Sequence, residues 1–163
     1  MTQAFVKQAY LTITWDQLHR DARALAEILM PMGPWRGLVA ISRGGLIPAA
    51  IVARELECRM VESVCVAAYE EEVPGNPQLL KGPAAAGDGT GFVIIDDLVD
   101  TGMTARLVRA LLPKAHFACL YAKPAGEAVA DTWVTGVAQT TWVLFPWDTA
   151  QAFVPPIAKT ISA

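Results

Sequence analysis

The chain has 163 residues, enough for one domain with a substantial buried core, and 53% of them are hydrophobic against 18% charged. A formal net charge of −3 and a pI near 5.3 argue against general nucleic-acid binding, so an anionic ligand would have to be attracted by a local arrangement. The mean hydropathy of +0.34 is high for a chain of this size and points to an oligomer with apolar interfaces, or to affinity for a membrane surface.

The first residues, MTQAFVKQAY, lack the charged-then-apolar pattern of a secretory signal, which places the expectation in the cytoplasm. Thr14-Trp15-Asp16-Gln17 has the form of a capping box. Leu18, Ala22, Leu25 and Leu29 then recur at helical spacing until Pro31, Gly33 and Pro34 end the pattern. Residues 37–41, GLVAI, predict a short buried strand that runs into Ser42-Arg43-Gly44-Gly45. A helix is expected over about 48–57, with Pro48 in its tolerated first turn, and a strand over 60–68.

Residues 69–91 change character, with three consecutive glutamates, three prolines and five glycines, and predict a functional lid loop. Residues 92–95 predict a fully buried strand, 104–112 a helix, 115–122 a strand, 123–126 a turn and 141–145 a late strand before FVPPI. The uncharged run over 132–147 is too short and too polar to span a membrane. Cys58, Cys65 and Cys119 are odd in number and scattered, which reads as small core hydrophobes in a reducing compartment. His19, His116 and Tyr121 read as structural.

Strands alternate with helices, and the strands are continuous apolar runs, so the expected fold is α/β: a mainly parallel sheet covered on both faces, in a single domain. Ligands of such sheets bind at the carboxyl ends of the strands. That rule gathers Ser42 to Gly45, Asp96 to Thr104, Lys123 to Gly126 and the Trp142 region into one crevice.

The stretch FVIIDDLVDTGMT, residues 92–104, carries the chemistry. Asp100-Thr101-Gly102-Met103-Thr104 lies between a strand and a helix, where backbone N–H groups and roughly +0.5 of macrodipole charge bind phosphate readily. A single Asp there would read as a helix cap, but Asp96, Asp97 and Asp100 crowd three carboxylates into five residues. The adjacent pair consists of acceptor-only groups suited to a ribose diol or a magnesium ion. Alternation along a strand sends them to opposite sides, so one of the two could be structural. Ser42-Arg43-Gly44-Gly45 forms a second cradle, in which Arg43 supplies a permanent forked charge. Phosphates at both ends of a ribose describe 5-phosphoribosyl-1-pyrophosphate (PRPP).

The run VIIDDLVDTGMT resembles the PRPP-binding motif of the type I phosphoribosyltransferases. TWDQLHRDAR, AISRGGLIPAA, IVARELECR, PKAHFACLYAKPAG, TTWVLFPWD and FVPPI extend the resemblance to the purine branch of that family over almost the whole chain. The resemblance implies transfer of a 5-phosphoribosyl group from PRPP to a 6-oxopurine (xanthine or guanine, and hypoxanthine less), with Mg2+ as cofactor. It implies a lid loop over 69–91 and a base-recognition hood over about 124–163. It also implies a homo-oligomer, in the form of a tetramer, with peripheral association at the inner membrane and no nucleic-acid partner.

Residue by residue, it implies that Arg43 and Gly44 hold pyrophosphate and that Asp96 and Asp97 hold the ribose diol, Asp97 being the better magnesium ligand. Leu98, Val99, Asp100, Thr101, Gly102, Met103 and Thr104 complete the PRPP site, with Thr101 to Thr104 on the 5′-phosphate. Asp100 accepts the proton at purine N7, Lys123 donates to the 6-oxygen, Trp142 flanks the base and the Val143 backbone reads its 2-position. A lysine only donates, which fits selection of a 6-oxo over a 6-amino base, and an indole offers a stacking face.

Two positions depart from the family pattern. Met103 stands where the family has Gly, and the basic residue of the family's loop aligns with Gly75, leaving Lys81 as the nearest cation. Two rival readings belong to other classes. A phospho-accepting receiver also combines an acidic pair, a Thr and a Lys-Pro, but carries the pair on its first strand, whereas here it comes late. A non-catalytic PRPP sensor would show a basic nucleic-acid face, which the charge disfavours.

Overall fold

The computed structural model describes residues 9–68 and 77–148. Contacts divide the chain into two compact units, residues 19–139 and residues 1–18 with 140–163.

The larger unit is built on a six-stranded sheet of order β4-β3-β2-β5-β6-β7. Its strands are β2 (Gly37–Ser42), β3 (Val61–Ala68), β4 (Pro77–Lys81), β5 (Phe92–Val99), β6 (His116–Ala122) and β7 (Thr132–Gly136). All neighbours are parallel except β3 and β4. The continuous apolar runs have their physical reason here: Ile94 sits between Val39 and Phe117, and all three are fully buried. Helix α2 (Leu46–Glu55) packs across β2, β5 and β3. Helix α3 (Met103–Leu111) contributes Ala105 and Val108 to a core with Val39, Ile94, Phe117 and Leu112.

Helix α1 (Trp15–Leu29) buries Leu18, Ala22, Leu25 and Leu29, the stripe expected from the spacing. Its start is capped as expected, the Gln17 N–H donating to the Thr14 hydroxyl at 3.2 Å. Further along, Asp21 accepts a hydrogen bond from the Tyr121 hydroxyl and joins α1 to β6. Tyr121 is therefore core, with its polar tip satisfied.

Part of the expected lid is ordered sheet. Residues 77–81 form β4, antiparallel to β3, and 84–86 form a 3-10 turn; residues 69–76 of the expected loop lie outside the described residues. Glu62 on β3 fixes this hairpin, accepting from Lys81 Nζ at 2.7 Å, from Ser63 N at 2.8 Å and from Ala85 N at 3.2 Å. Lys81 also donates to the Ser63 carbonyl at 2.7 Å. The Lys81 ammonium is thus engaged at the base of the hairpin. Gly75 lies outside the described residues.

The smaller unit holds a two-stranded parallel pair, β1 (Ala9–Thr12) with β8 (Thr141–Leu144), extended by a bond from Ile13 N to the Leu144 carbonyl at 2.8 Å. Trp147 stacks on Phe145 at 4.9 Å between centroids and meets Trp15 at 6.2 Å. Among the described residues no helix is long and apolar enough to cross a membrane. The three cysteines are free; Cys119 is buried, whereas Cys58 and Cys65 are only half-buried.

Candidate active site

A cleft of about 380 Å³ opens at the carboxyl ends of β2 and β5. It is lined by Ile41, Ser42 and Gly44 from the β2 end, by Val66 and Pro77 from the β3–β4 hairpin, and by the continuous run Asp96 to Ala105. Ten of the expected site residues therefore share one cavity: Gly44, Asp96, Asp97, Leu98, Val99, Asp100, Thr101, Gly102, Met103 and Thr104. Arg43 sits exposed in the same turn as Gly44.

β5 continues to Val99, four residues past the strand read from the apolar run, so the acidic pair lies inside the sheet. Alternation gives the two side chains different surroundings, although their carboxyl groups still interact. Asp96 lies beside Cys119 on β6, is only 7% exposed, and accepts the Asp97 N–H at 3.0 Å. Burial, and then the charge of Asp97, push its carboxyl well above the usual carboxylate range. The Cys119 thiol is pushed up as well, chiefly by burial and next by Asp96.

Asp97 faces the β2 turn, where a Cβ on residue 44 would overlap its carboxylate. Only glycine allows that approach. One oxygen of Asp97 accepts the Leu98 N–H at 2.7 Å. Among the described residues no group of three or more His, Cys, Asp or Glu could cage a metal. One or two carboxylates at the mouth of an anion cradle suit magnesium that keeps waters and takes its other ligands from substrate phosphates.

The cradle itself is formed where β5 turns into α3. Gly102 caps the helix with φ +80°, a left-handed conformation that favours glycine. Met103 follows as the first helical residue, with ordinary helical backbone, so the side chain that replaces the family's glycine is accommodated and lines the cleft. The opening N–H groups of α3 have no partner within the helix and carry the positive end of its dipole.

Asp100 is the junction of the site. Its side chain is 50% exposed, and Lys123, whose side chain is 5% exposed, donates from Nζ to its Oδ2 at 2.9 Å. Its Oδ1 accepts from Gln139 Nε2 at 2.7 Å. Lys123 is held in place through its backbone: its N–H donates to the Val99 carbonyl at 2.9 Å, and its carbonyl accepts from Gly126 and Glu127 at 2.9 and 3.0 Å. Gln139 was not singled out in the sequence. Its partner is 39 positions away, and no local motif marks it.

Trp142 and Val143 belong to the smaller unit. There Trp142 pairs with Tyr10 and is 52% exposed, while Val143 pairs with Leu11 and is buried.

The phosphoribosyl transferase domain model matches residues 14–153. The chain belongs to the phosphoribosyltransferase family. It is 65% identical over 153 residues to the xanthine-guanine phosphoribosyltransferase of Gluconobacter oxydans (strain 621H), covering 92% of this chain and 91% of that one. The protein of the same name from Nitratidesulfovibrio vulgaris (strain DP4) is 53% identical over 148 residues, with 90% of each chain covered. Among solved structures, the purine phosphoribosyltransferase from Pyrococcus horikoshii Ot3 superposes with a TM-score of 0.75 at 28% identity, over 90% of this chain and 99% of that one.

Proposed function

We propose that this enzyme transfers the 5-phosphoribosyl group of PRPP to a 6-oxopurine, xanthine or guanine before hypoxanthine, releasing pyrophosphate and the nucleoside 5′-monophosphate in purine salvage. One observation carries the reading: a single cleft is lined by two glycine-bearing anion cradles, at Gly44 and at Gly102, with Asp96, Asp97 and Asp100 between them. Two relatives of this name at 53–65% identity over nine-tenths of the chain support the choice of base.

In this reading Thr101 to Thr104 and the α3 N-terminus bind the 5′-phosphate. Arg43 and the Gly44 backbone take the pyrophosphate, and Asp96 and Asp97 accept from the ribose hydroxyls. Magnesium, held by Asp97, would screen the charge on the pyrophosphate. The C1–O bond breaks ahead of N9–C1 bond formation, and the bonding electron pair leaves with the pyrophosphate. The residues act by position and fixed charge, with no covalent nucleophile.

Lys123 donates to the 6-oxygen, and Asp100 Oδ2, relieved of Lys123, accepts the N7 proton, a role typically worth about 10²–10⁴-fold. Trp142 flanks the base and the Val143 backbone reads its 2-position. The stretch of about 124–163 is the base-recognition hood of this reading. We also place the enzyme in the cytoplasm as a homotetramer with peripheral contact at the inner membrane. A mean hydropathy of +0.34 and the exposed Leu79 and Leu80 support apolar contact surfaces.

Titration calorimetry of PRPP with and without magnesium tests the reading. Binding heat that depends on the metal is expected, and no heat in either condition would overturn it.

A further inference from the structure

We infer that Gln139 is a positioning residue for Asp100, turning a half-exposed carboxylate into a one-sided proton acceptor. The inference rests on the phosphoribosyl-transfer reading above. The Gln139 amide is held at both ends: Nε2 donates to Asp100 Oδ1 at 2.7 Å, and Oε1 accepts the Ala125 N–H at 2.9 Å. A backbone N–H only donates and an ionised carboxylate only accepts, so the amide has one permitted orientation. It therefore ties the turn after β6 to the turn after β5, the two segments that supply Lys123 and Asp100.

The two oxygens of Asp100 thereby acquire different partners. Oδ1 faces a neutral amide donor and Oδ2 faces the ammonium of Lys123. When the 6-oxygen of a base takes the Lys123 donor, only Oδ2 loses its partner, and it gains a lone pair aimed at the N7 proton. Gln139 keeps the carboxylate plane fixed during that exchange. Proton transfer then leaves N7 bare and Oδ2 protonated, while Oδ1, now a carbonyl oxygen, still accepts from Nε2. Without Gln139 the half-exposed carboxylate rotates about χ2, and the oxygen nearest the base is no longer selected.

Two variants test this, assayed with guanine and with its 8-aza analogue, whose five-membered-ring N–H is more acidic and needs less help from a base. Gln139→Met keeps the volume and removes both hydrogen bonds; Gln139→Glu keeps the acceptor for Ala125 and sets a carboxylate against Asp100 Oδ1. Gln139→Met should lower kcat for guanine about tenfold, with PRPP affinity by calorimetry unchanged and a smaller defect for the 8-aza base. Gln139→Glu should lose more than Gln139→Met at neutral pH, and it decides the matter if Gln139→Met does not fold. Wild-type kcat in either variant, or a loss equal for both bases, would overturn the inference while leaving phosphoribosyl transfer intact. A wild-type enzyme that transfers to neither base would sink the underlying reading instead.

Discussion

Lys123 and Asp100 form an ion pair of 2.9 Å whose two members are unequally buried, the lysine side chain 5% exposed and the aspartate 50%. The ammonium has little water to fall back on, so it needs an acceptor at all times. In this state the acceptor is Asp100, and in the proposed base complex it is the 6-oxygen. A 6-amino base presents a donor there and would leave the ammonium unsatisfied, which is the discrimination the proposed reading expects of the pair.

Lys123→Met should lower kcat/KM for guanine by about 10–100-fold, the worth of one hydrogen bond to a charged group, and leave PRPP affinity unchanged. Steady-state kinetics with calorimetry checks this. Asp100→Asn should lower kcat by about 10²–10⁴-fold and also reduce thermal stability, because it withdraws the countercharge from a buried lysine.

Gly44 and Asp97 meet too closely for any side chain at position 44. Gly44→Ala should therefore displace the Asp97 carboxylate and weaken magnesium-dependent PRPP binding by at least about tenfold, roughly 1.4 kcal/mol. The turn is at a cleft edge, so the melting temperature should hardly move. Strong unfolding with intact binding per folded molecule would contradict this account of the cradle.

Asp96 is a buried carboxyl beside a second carboxylate, an arrangement that costs stability. Asp96→Asn preserves size and the acceptor for the Asp97 N–H while removing the charge. At neutral pH it should raise the melting temperature by roughly 2–4 °C, about 1 kcal/mol, and weaken PRPP binding. Calorimetric unfolding and PRPP titration of the same preparation measure both.

The motif at residues 92–104 was legible because its residues act where they stand in the chain, at the end of a strand whose apolar run fixes its burial. The reach of β5 was not, since carboxylates are disfavoured in strands and only the pairing of Asp96, Leu98 and Val99 with β6 carries it on. β4 was hidden for a similar reason: PQLLK begins with proline, carries no alternation and is largely exposed, and it becomes a strand through Glu62 and β3. β7, TWVTG, is an edge strand between turns. Gln139 was invisible because its two hydrogen bonds span 14 and 39 positions.

Glu62 predicts an acid-sensitive hairpin. The Lys81 ammonium, then the Ser63 and Ala85 N–H groups, lower its pKa from 4.5 to about 2. A depressed carboxylate contributes stability above its unfolded pKa and loses it as pH falls through the folded one. Glu62→Gln should thus melt lower than the wild type at pH 6, by roughly 1–3 °C for a solvent-screened pair, and the difference should close as pH falls from about 4.5 toward 2. Thermal unfolding across that range is the check.

The most direct measurement is turnover by the purified protein with PRPP and magnesium on xanthine, guanine, hypoxanthine and adenine in parallel, following both nucleotide and pyrophosphate. The account predicts matched formation of the two products with the three 6-oxo bases, xanthine and guanine ahead of hypoxanthine, and none with adenine. Adenine turned over as well as guanine, or no nucleotide from any base, would contradict it.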